Sequence, residues 1–284
     1  MTVVTRFAPS PTGLLHLGHA HAALVAWGAA RIGEGRFLVR IEDIDQGRAR
    51  PEFEDAIFED LAWLGLEWET PVRRQSAHFH DYADALKRLA ELGVLYPCFC
   101  TRAEIRAEIE RADAAPHPSP DGPEGPVYPG TCRGLDPMER QKRIDRGAAH
   151  ALRLDAVRAA RLAGDLGWTD QRRGAVAADP MCFGDVVLAR KDVPTSYHLA
   201  VTVDDALQGV TLVTRGEDLF EATHVHRLLQ ALLGLPTPGY HHHELIAGPD
   251  GRRFAKRDRS LTIQALREAG KSAAEVIALA GFGG

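Results

Sequence analysis

The chain has 284 residues, a formal net charge of −5 and ordinary apolar (45%) and charged (26%) fractions. This length can bury the core of one large domain or two modest ones, and the mild negative charge excludes a generally basic nucleic-acid coat while permitting a local basic patch. No apolar stretch is long enough to span a bilayer and no signal-peptide pattern is present, so we expect a cytoplasmic protein without a membrane partner. Cysteines in that compartment serve as thiols or metal ligands rather than disulfides.

The first predicted elements are a strand, a turn and a helix. A β-rich run over residues 3–8 leads through a turn rich in Pro and Gly to an Ala-rich helix predicted over 17–32. His16 and His19 lie three residues apart where this helix begins, so they share a face beside backbone N–H groups that attract anions. This arrangement predicts a site for a polyphosphate. A P-loop is excluded, because His19 occupies the position of its lysine.

Strand and helix signals then alternate along the chain. β-rich runs are predicted at 37–41, 185–189, 198–203 and 210–214, and helices at 78–92, from Pro51 onward, and from Ala222 to Leu233 before Gly234. Such alternation predicts an α/β fold with a parallel sheet. Residues 114–137 interrupt it, because they are rich in Pro, Gly and Asp and lack periodicity. A bound metal would explain how such a long segment becomes ordered.

Three cysteines flank that segment and predict a structural zinc site, namely Cys98, Cys100 and Cys132. Zinc prefers four tetrahedral ligands and binds thiolates well. The residues alone leave the fourth ligand open between Tyr128 and His117, and buried thiols without a metal are the alternative. The three adjacent histidines at 241–243 predict no metal site, since neighbouring side chains on a strand point to opposite faces.

Two segments carry a resemblance to a known family. Arg6-Phe-Ala-Pro-Ser-Pro-Thr-Gly together with His16-Leu-Gly-His19 resembles the HIGH signature of class I aminoacyl-tRNA synthetases in its glutamyl form. Residues 253–257, Arg-Phe-Ala-Lys-Arg, resemble a degraded KMSKS motif in which Lys256 matches the second lysine. The resemblance extends from Val4 to about Ile263. It implies a Rossmann-like catalytic domain that uses ATP with Mg²⁺ to activate L-glutamate.

The resemblance also implies which residues form the site. ATP is expected at the HIGH and KMSKS-like positions, His16, Gly18, His19 and Lys256. Glutamate is expected at Arg6, Phe7, Ala8, Pro9, Ser10, Glu42, Tyr197 and Arg215. Independently of the family, arginine suits a carboxylate through its bidentate fork, and a carboxylate suits the ammonium of an amino acid.

The pattern C-x-C followed by Y-x-x-x-C resembles the zinc element of the glutamyl-Q tRNA(Asp) synthetases, which selects Tyr128 as the fourth ligand. That family activates glutamate without tRNA and transfers it to the queuosine base at the wobble position of tRNA(Asp). We expect two halves of a catalytic domain (1–95 and 151–245), a zinc-binding insertion (96–150), and a loop with a short helical tail (246–284). This tail is too short for an anticodon-binding domain, and we expect a monomer.

Two other functions remain open at this stage. One is a short glutamyl- or glutaminyl-tRNA ligase that charges a tRNA 3′ end. The other is a zinc-stabilised RNA-binding protein without catalysis, against which the intact His16, His19 and Lys256 argue.

Overall fold

A computed structural model of the protein describes residues 2–113, 121–123, 125–246 and 262–282. The strands are β1 (Val4–Phe7), β2 (Arg36–Ile41), β3 (Glu69–Arg74), β4 (Leu95–Cys98), β5 (Asp121–Gly122), β6 (Gly125–Pro126), β7 (Ala151–Leu154), β8 (Gly167–Asp170), β9 (Gly174–Ala177), β10 (Val187–Ala189), β11 (Leu212–Gly216) and β12 (Gly239–His243). The α-helices are α1 (Leu17–Ile32), α2 (Pro51–Trp63), α3 (Phe79–Glu91), α4 (Arg102–Asp113), α5 (Pro137–Asp145), α6 (Ala156–Ala163), α7 (Tyr197–Leu207), α8 (Ala222–Leu233), α9 (Ile263–Glu268) and α10 (Ala273–Ile277).

Two groups of parallel strands meet at the centre of the molecule. Strands β1, β2 and β3 pair in parallel, and so do β11, β12 and β8, with β9 antiparallel at the edge. The amide of Thr211, just before β11, donates to the carbonyl of Val4 in β1 at 3.0 Å, so the two groups are neighbours. The predicted α/β fold with a parallel sheet is therefore confirmed. Ligands of such sheets bind beyond the carboxyl ends of the strands.

A separate antiparallel sheet lies to one side and contains β10, β7 and β4 in that order. Both predicted limits of the insertion, 95/96 and 150/151, fall where β4 and β7 pair. The helices α4 and α5 lie between β4 and β7 in sequence, although no helix was predicted there. His117, the alternative zinc ligand, lies outside the described residues.

Several predicted helices have the limits that their capping residues indicated. Helix α1 begins after His16 and ends at Ile32, and Pro51 occupies the first turn of α2, where its missing N–H costs nothing. Helix α8 ends at Gly234, which adopts the left-handed conformation with φ 60° and ψ 34°.

The strand predicted over 198–203 is wrong, because these residues belong to helix α7. Ser196 caps this helix by accepting a hydrogen bond from the amide of Leu199. Residues from Leu199 to Asp205 are all buried, so the valines and threonine of this run pack on every side of the helix. Tertiary burial has outweighed the β propensity of the run.

The last described helices pack against α1 and α2. Ile263, Val276 and Ala280 are fully buried in the same core cluster as Leu17 and Leu61. The predicted KMSKS-like residue Lys256 and the rest of the basic run lie outside the described residues. None of the helices in the described segments combines the length and apolar character that crossing a membrane would require.

Candidate active site

The two histidines of the HIGH-like segment cap the start of α1. Nδ1 of His16 accepts from the amide of Gly18, and Nδ1 of His19 accepts from the amide of His16, both at 3.1 Å. In a neutral ring whose Nδ1 accepts, the proton is on Nε2, which is then a donor. A Cβ at Gly18 would lie 3.0 Å from Cε1 of His16, so glycine leaves room for this cap. Capping and anion binding are therefore compatible in this segment.

A cavity of about 350 Å³ lies beside these histidines. The start of α1, the segment after β11 and the end of β12 line it, through His16, Gly18, His19, His21, Ala22, Gly216, Asp218, Leu219, His243, Glu244, Leu245 and Ile246. The described chain resumes beside the same histidines, where Thr262 pairs with His16 and the amide of Ile263 donates to the carbonyl of Leu15 at 2.9 Å. Ile246 therefore lines the cavity, and Thr262 lies next to a histidine that lines it.

A chain of buried charges links Arg6 to Glu42. Nε of Arg6 donates to Asp205 at 2.9 Å, and Nη1 of Arg40 donates to the same oxygen at 2.8 Å. Nη2 of Arg40 reaches Glu42 at 3.2 Å. Burial works against ionised Asp205, yet Arg6 and Arg40 hold its pKa below the usual range. Burial has the larger effect on Glu42 and raises its pKa.

Arg215 is also buried, but its contacts are neutral. Nε donates to His242 at 3.1 Å, Nη1 lies 3.1 Å from Nδ1 of His226, and Nη2 donates to Thr223 at 2.6 Å. Burial and the charge of Arg215 lower the pKa of His242 to about 4 and the pKa of His226 well below its usual range. Among the described residues, no carboxylate lies within 4.0 Å of this guanidinium. Arg215 is thus a buried cation whose immediate partners carry no charge.

Four of the residues predicted to bind glutamate lie near one another, with Tyr197 among them. Burial raises the pKa of the Tyr197 hydroxyl, and the charges of Arg215, Glu42 and Arg6 also act on it. Nη1 of Arg6 donates to the carbonyl of Thr214, the residue before Arg215, at 3.0 Å.

The remaining residues predicted to bind glutamate lie at the end of β1 and in the segment that follows it. Pro9 accepts from the amide of Glu42 at 3.0 Å, while Ala8 is half-buried and Ser10 is exposed. The Phe7 side chain lies in the hydrophobic core, which leaves its backbone as the part that faces the site.

The predicted metal ligands converge at the end of β4 and in the segment before α5. The three thiols of Cys98, Cys100 and Cys132 lie within 4.8 Å of one another. Oη of Tyr128 is 3.5 Å from Sγ of Cys98 and 3.6 Å from Sγ of Cys100. Zinc at ordinary bond lengths would set sulfur and oxygen ligands about 3.5 Å apart, which this donor set fits. Burial raises the pKa of Cys100 to about 12, so a thiolate there needs a cation beside it.

A second convergence of possible ligands does not suit a metal. Cys182, Glu221 and His224 also lie close together. Nδ1 of His224 accepts from the amide of Asp179 at 2.9 Å, which leaves the proton on Nε2 facing Glu221 at 3.1 Å. A protonated nitrogen cannot bind a metal.

Sequence reasoning missed several residues of the site. Arg40 stands in the middle of an apolar strand, and a charge in such a run signals a buried partner. Its partners Asp204 and Asp205 follow the run that was predicted as a strand, so their place at the end of a buried helix was hidden. The partners of Arg215 carried no local signal, because Thr223, His226 and His242 belong to other elements.

Comparison with known proteins shows the family of the chain. The family model of tRNA synthetases class I (E and Q), catalytic domain, matches residues 2–282. A glutamyl-Q tRNA(Asp) synthetase of Rhodobacter capsulatus is 48% identical over 99% of this chain and 100% of its own length. One of Symbiobacterium thermophilum is 44% identical over 96% of this chain and 83% of its own length.

The fold is likewise similar to solved structures. A glutamate-tRNA synthetase of Elizabethkingia anophelis has a TM-score of 0.76 and 28% identity, covering 91% of this chain and 53% of the solved one. This chain therefore spans about half the length of that structure. With a full-length relative at 48% identity and a catalytic-domain match over nearly every residue, the chain belongs to the glutamyl-Q tRNA(Asp) synthetase family of class I synthetases.

Proposed function

We propose that the protein activates L-glutamate with ATP, without tRNA, and transfers it to the queuosine base at the wobble position of tRNA(Asp). The observation that carries the first step is Arg215, a buried cation with only neutral partners. A carboxylate ligand would supply the negative charge that the immediate partners of Arg215 lack. Glutamate has two carboxylates and one ammonium group. Arg6 is near enough to bind the second carboxylate, and Glu42 to bind the ammonium.

The position of ATP follows from chain continuity. Gly216, directly after Arg215, lines the cavity that also contains His16 and His19. Glutamate bound at Arg215 would thus lie beside this cavity, and we propose that one of its two carboxylates extends to the phosphates. Its oxygen attacks the α-phosphorus, pyrophosphate leaves, and donors at the start of α1 stabilise the phosphoryl oxygens, with Mg²⁺ bound to the nucleotide. A hydroxyl of the acceptor then attacks the glutamyl carbonyl, and AMP leaves with the bond electrons.

Lys256 is proposed as the second cation on the phosphates. The support is the match of Lys256 to the second lysine of the KMSKS-like motif, together with the cavity at His16 and His19 that would hold the phosphates.

A structural zinc is proposed at Cys98, Cys100, Tyr128 and Cys132. The amide of Cys132 donates to Oη of Tyr128 at 2.9 Å, and the guanidinium of Arg153 lies 3.9 Å from its ring centre. Both contacts favour a phenolate, the form that a metal needs. The metal would tie β4 to the segment before α5, within the proposed insertion of residues 96–150.

The test separates activation from transfer. Glutamate-dependent exchange of pyrophosphate into ATP, measured without tRNA, is expected with the purified protein and would be absent from a non-catalytic RNA-binding protein. Labelled glutamate is then supplied with tRNA(Asp) that contains or lacks queuosine. Label that requires queuosine and survives removal of the 3′-terminal nucleotide supports the proposal. Label that is independent of queuosine refutes it and favours an ordinary tRNA ligase.

A further inference from the structure

Arg215 contacts the imidazoles of His242 and His226, and the hydrogen-bond partners of each ring determine its tautomer. Asp170, at the end of β8, and His242, in β12, are each only 1% exposed. Nδ1 of His242 lies 2.7 Å from Oδ2 of Asp170. An ionised carboxylate only accepts hydrogen bonds, so the proton of the neutral ring is on Nδ1.

The consequence appears on the other side of the ring. With its proton on Nδ1, His242 presents a lone pair on Nε2, which accepts from Nε of Arg215 at 3.1 Å. The hydroxyl of Thr223 shares that lone pair at 3.2 Å.

The hydrogen-bond partners of His226 give it the opposite tautomer. A guanidinium has no acceptor, so Nδ1 facing Nη1 of Arg215 must carry the lone pair. Its proton is then on Nε2, which donates to Nδ1 of His198 at 3.1 Å. Two neutral rings, protonated on different nitrogens, therefore both turn an acceptor toward one cation.

We propose that Asp170 and His242 are positioning residues for glutamate binding, which act by holding the guanidinium of Arg215. Without the carboxylate, His242 can carry its proton on Nε2, the usual form of a free imidazole. A donor would then face the Nε–H of Arg215, and the guanidinium would turn away. The inference rests on the proposed function, because it concerns how Arg215 is held in position to bind glutamate.

The first test compares two replacements of His242 in glutamate-dependent pyrophosphate exchange. His242→Leu removes the acceptor and is expected to raise the KM for glutamate about tenfold or more, since one charged hydrogen bond is lost. His242→Gln places an amide oxygen near the position of Nε2 and should recover most of that loss. The KM for ATP should stay within about twofold in both, because His242 does not line the cavity proposed for ATP. Equal KM values for glutamate in the two variants would overturn the proposal.

The second test asks whether Asp170 acts through His242. Oδ1 of Asp170 also accepts from the amides of Arg172 and Arg173, so the residue has a structural role in the β8–β9 turn. Asp170→Ala should raise the KM for glutamate in the wild-type background and much less in the His242→Gln background, because an amide cannot change tautomer. An equal rise in both backgrounds would assign Asp170 to the turn alone.

A third measurement does not depend on activity. In protein labelled with ¹⁵N at histidine, His242 should show the Nδ1-protonated tautomer, and Asp170→Ala should convert it to the Nε2-protonated form. An Nε2-protonated His242 in the wild type refutes the proposed mechanism of positioning. Absence of glutamate-dependent exchange in a wild type with the expected tautomer would instead refute the proposed function and leave the tautomer assignment standing.

Discussion

Buried arginines in this protein are compensated in two different ways. Arg40, which is fully buried, meets carboxylates of Glu42, Asp204 and Asp205. Arg215, almost equally buried, meets only a hydroxyl and two neutral rings. Burying a charge without a counter-ion costs free energy. In Arg215 only hydrogen bonds to neutral groups offset that cost. The charge of Arg40 is thus compensated within the fold, whereas Arg215 is proposed to gain its counter-charge from a bound carboxylate.

Replacing Arg215 should therefore affect the ligand more than the fold. Arg215→Ala is expected to weaken glutamate binding by about 3 kcal/mol, roughly a hundredfold, because a buried charged contact is lost. Calorimetric titration with glutamate measures this directly. Arg36→Ala is the matched control, since its ion pair with Glu69 is half-exposed at the opposite end of β2 from Glu42. Unchanged glutamate affinity in Arg215→Ala would contradict the assigned role.

The buried histidines predict a loss of stability in mild acid. Burial lowers the pKa of His198, His242 and His243 to about 4 each. The unfolded chain therefore takes up protons near pH 6.5 that the folded protein refuses, so stability is fully present above about pH 6.5 and falls as the pH drops toward 4. Asp60 and Glu42 oppose this, because burial raises the pKa of both carboxyls, to about 7 for Asp60, and their contributions grow as the pH falls. More histidines than carboxyls are shifted in this way, since the pKa values of His226 and His241 are lowered as well, so we expect a net loss.

Urea unfolding at pH 7.5 and pH 5 would measure this loss. The free energy of unfolding should be lower at pH 5 in the wild type, and the difference should shrink in His242→Gln, which has one buried imidazole fewer. A difference that His242→Gln leaves unchanged would show that this ring does not contribute.

At the scale of elements, the C-terminal helices pack beside the histidines proposed to bind ATP. They bury Ile263 and Val276 against α1, and Nδ1 of His21 meets the carbonyl of Ala280 at 2.9 Å. Thr262, which begins α9, pairs with His16. The histidine cap and the C-terminal helices therefore form one packed unit.

This packing can be tested by removing two methyl groups. Val276→Ala is expected to lower the free energy of unfolding by about 2 kcal/mol, because Val276 is fully buried. It should also raise the KM for ATP, since Thr262 is held at His16 by these helices. Leu279→Ala, at a position that is 48% exposed on the same segment, should leave both quantities nearly unchanged. Equal effects of the two substitutions would contradict this packing role.

The cysteine cluster predicts a stoichiometric metal. Elemental analysis of the purified protein is expected to find one zinc per chain, and Cys132→Ser should lose most of it, because a hydroxyl is a poor replacement for a thiolate. Cys182→Ser is the control, since that thiol lies outside the cluster. Metal-free wild-type protein, isolated without chelator, would refute the site.

Elements could be predicted from the sequence where local chemistry decides them. Helix α1 and helix α8 have capping residues at their ends, and their limits follow from these. Helix α7 could not be predicted, because its buried faces are defined by partners distant in sequence. The cysteine cluster was predictable from spacing, whereas the grip on Arg215 depends on His226 and His242, whose approach only the fold determines.

At the scale of the whole molecule, buried charges join the two halves of the chain. Arg6, Arg40 and Arg73 come from the first three strands, and their partners Asp204 and Asp205 come from α7. The pairs are 131 to 199 residues apart in sequence. The segments between them in sequence include α4 and α5.

This charge cluster has a consequence for cooperativity. If either half opened while the other stayed folded, it would leave arginines or aspartates buried without partners, at a cost of several kcal/mol. Partial opening is thereby suppressed, and the strands and α7 should unfold as a single unit although they are far apart in sequence. Native-state hydrogen exchange should give the same opening free energy for amides of β2 and α7, and clearly different values would show two independent units.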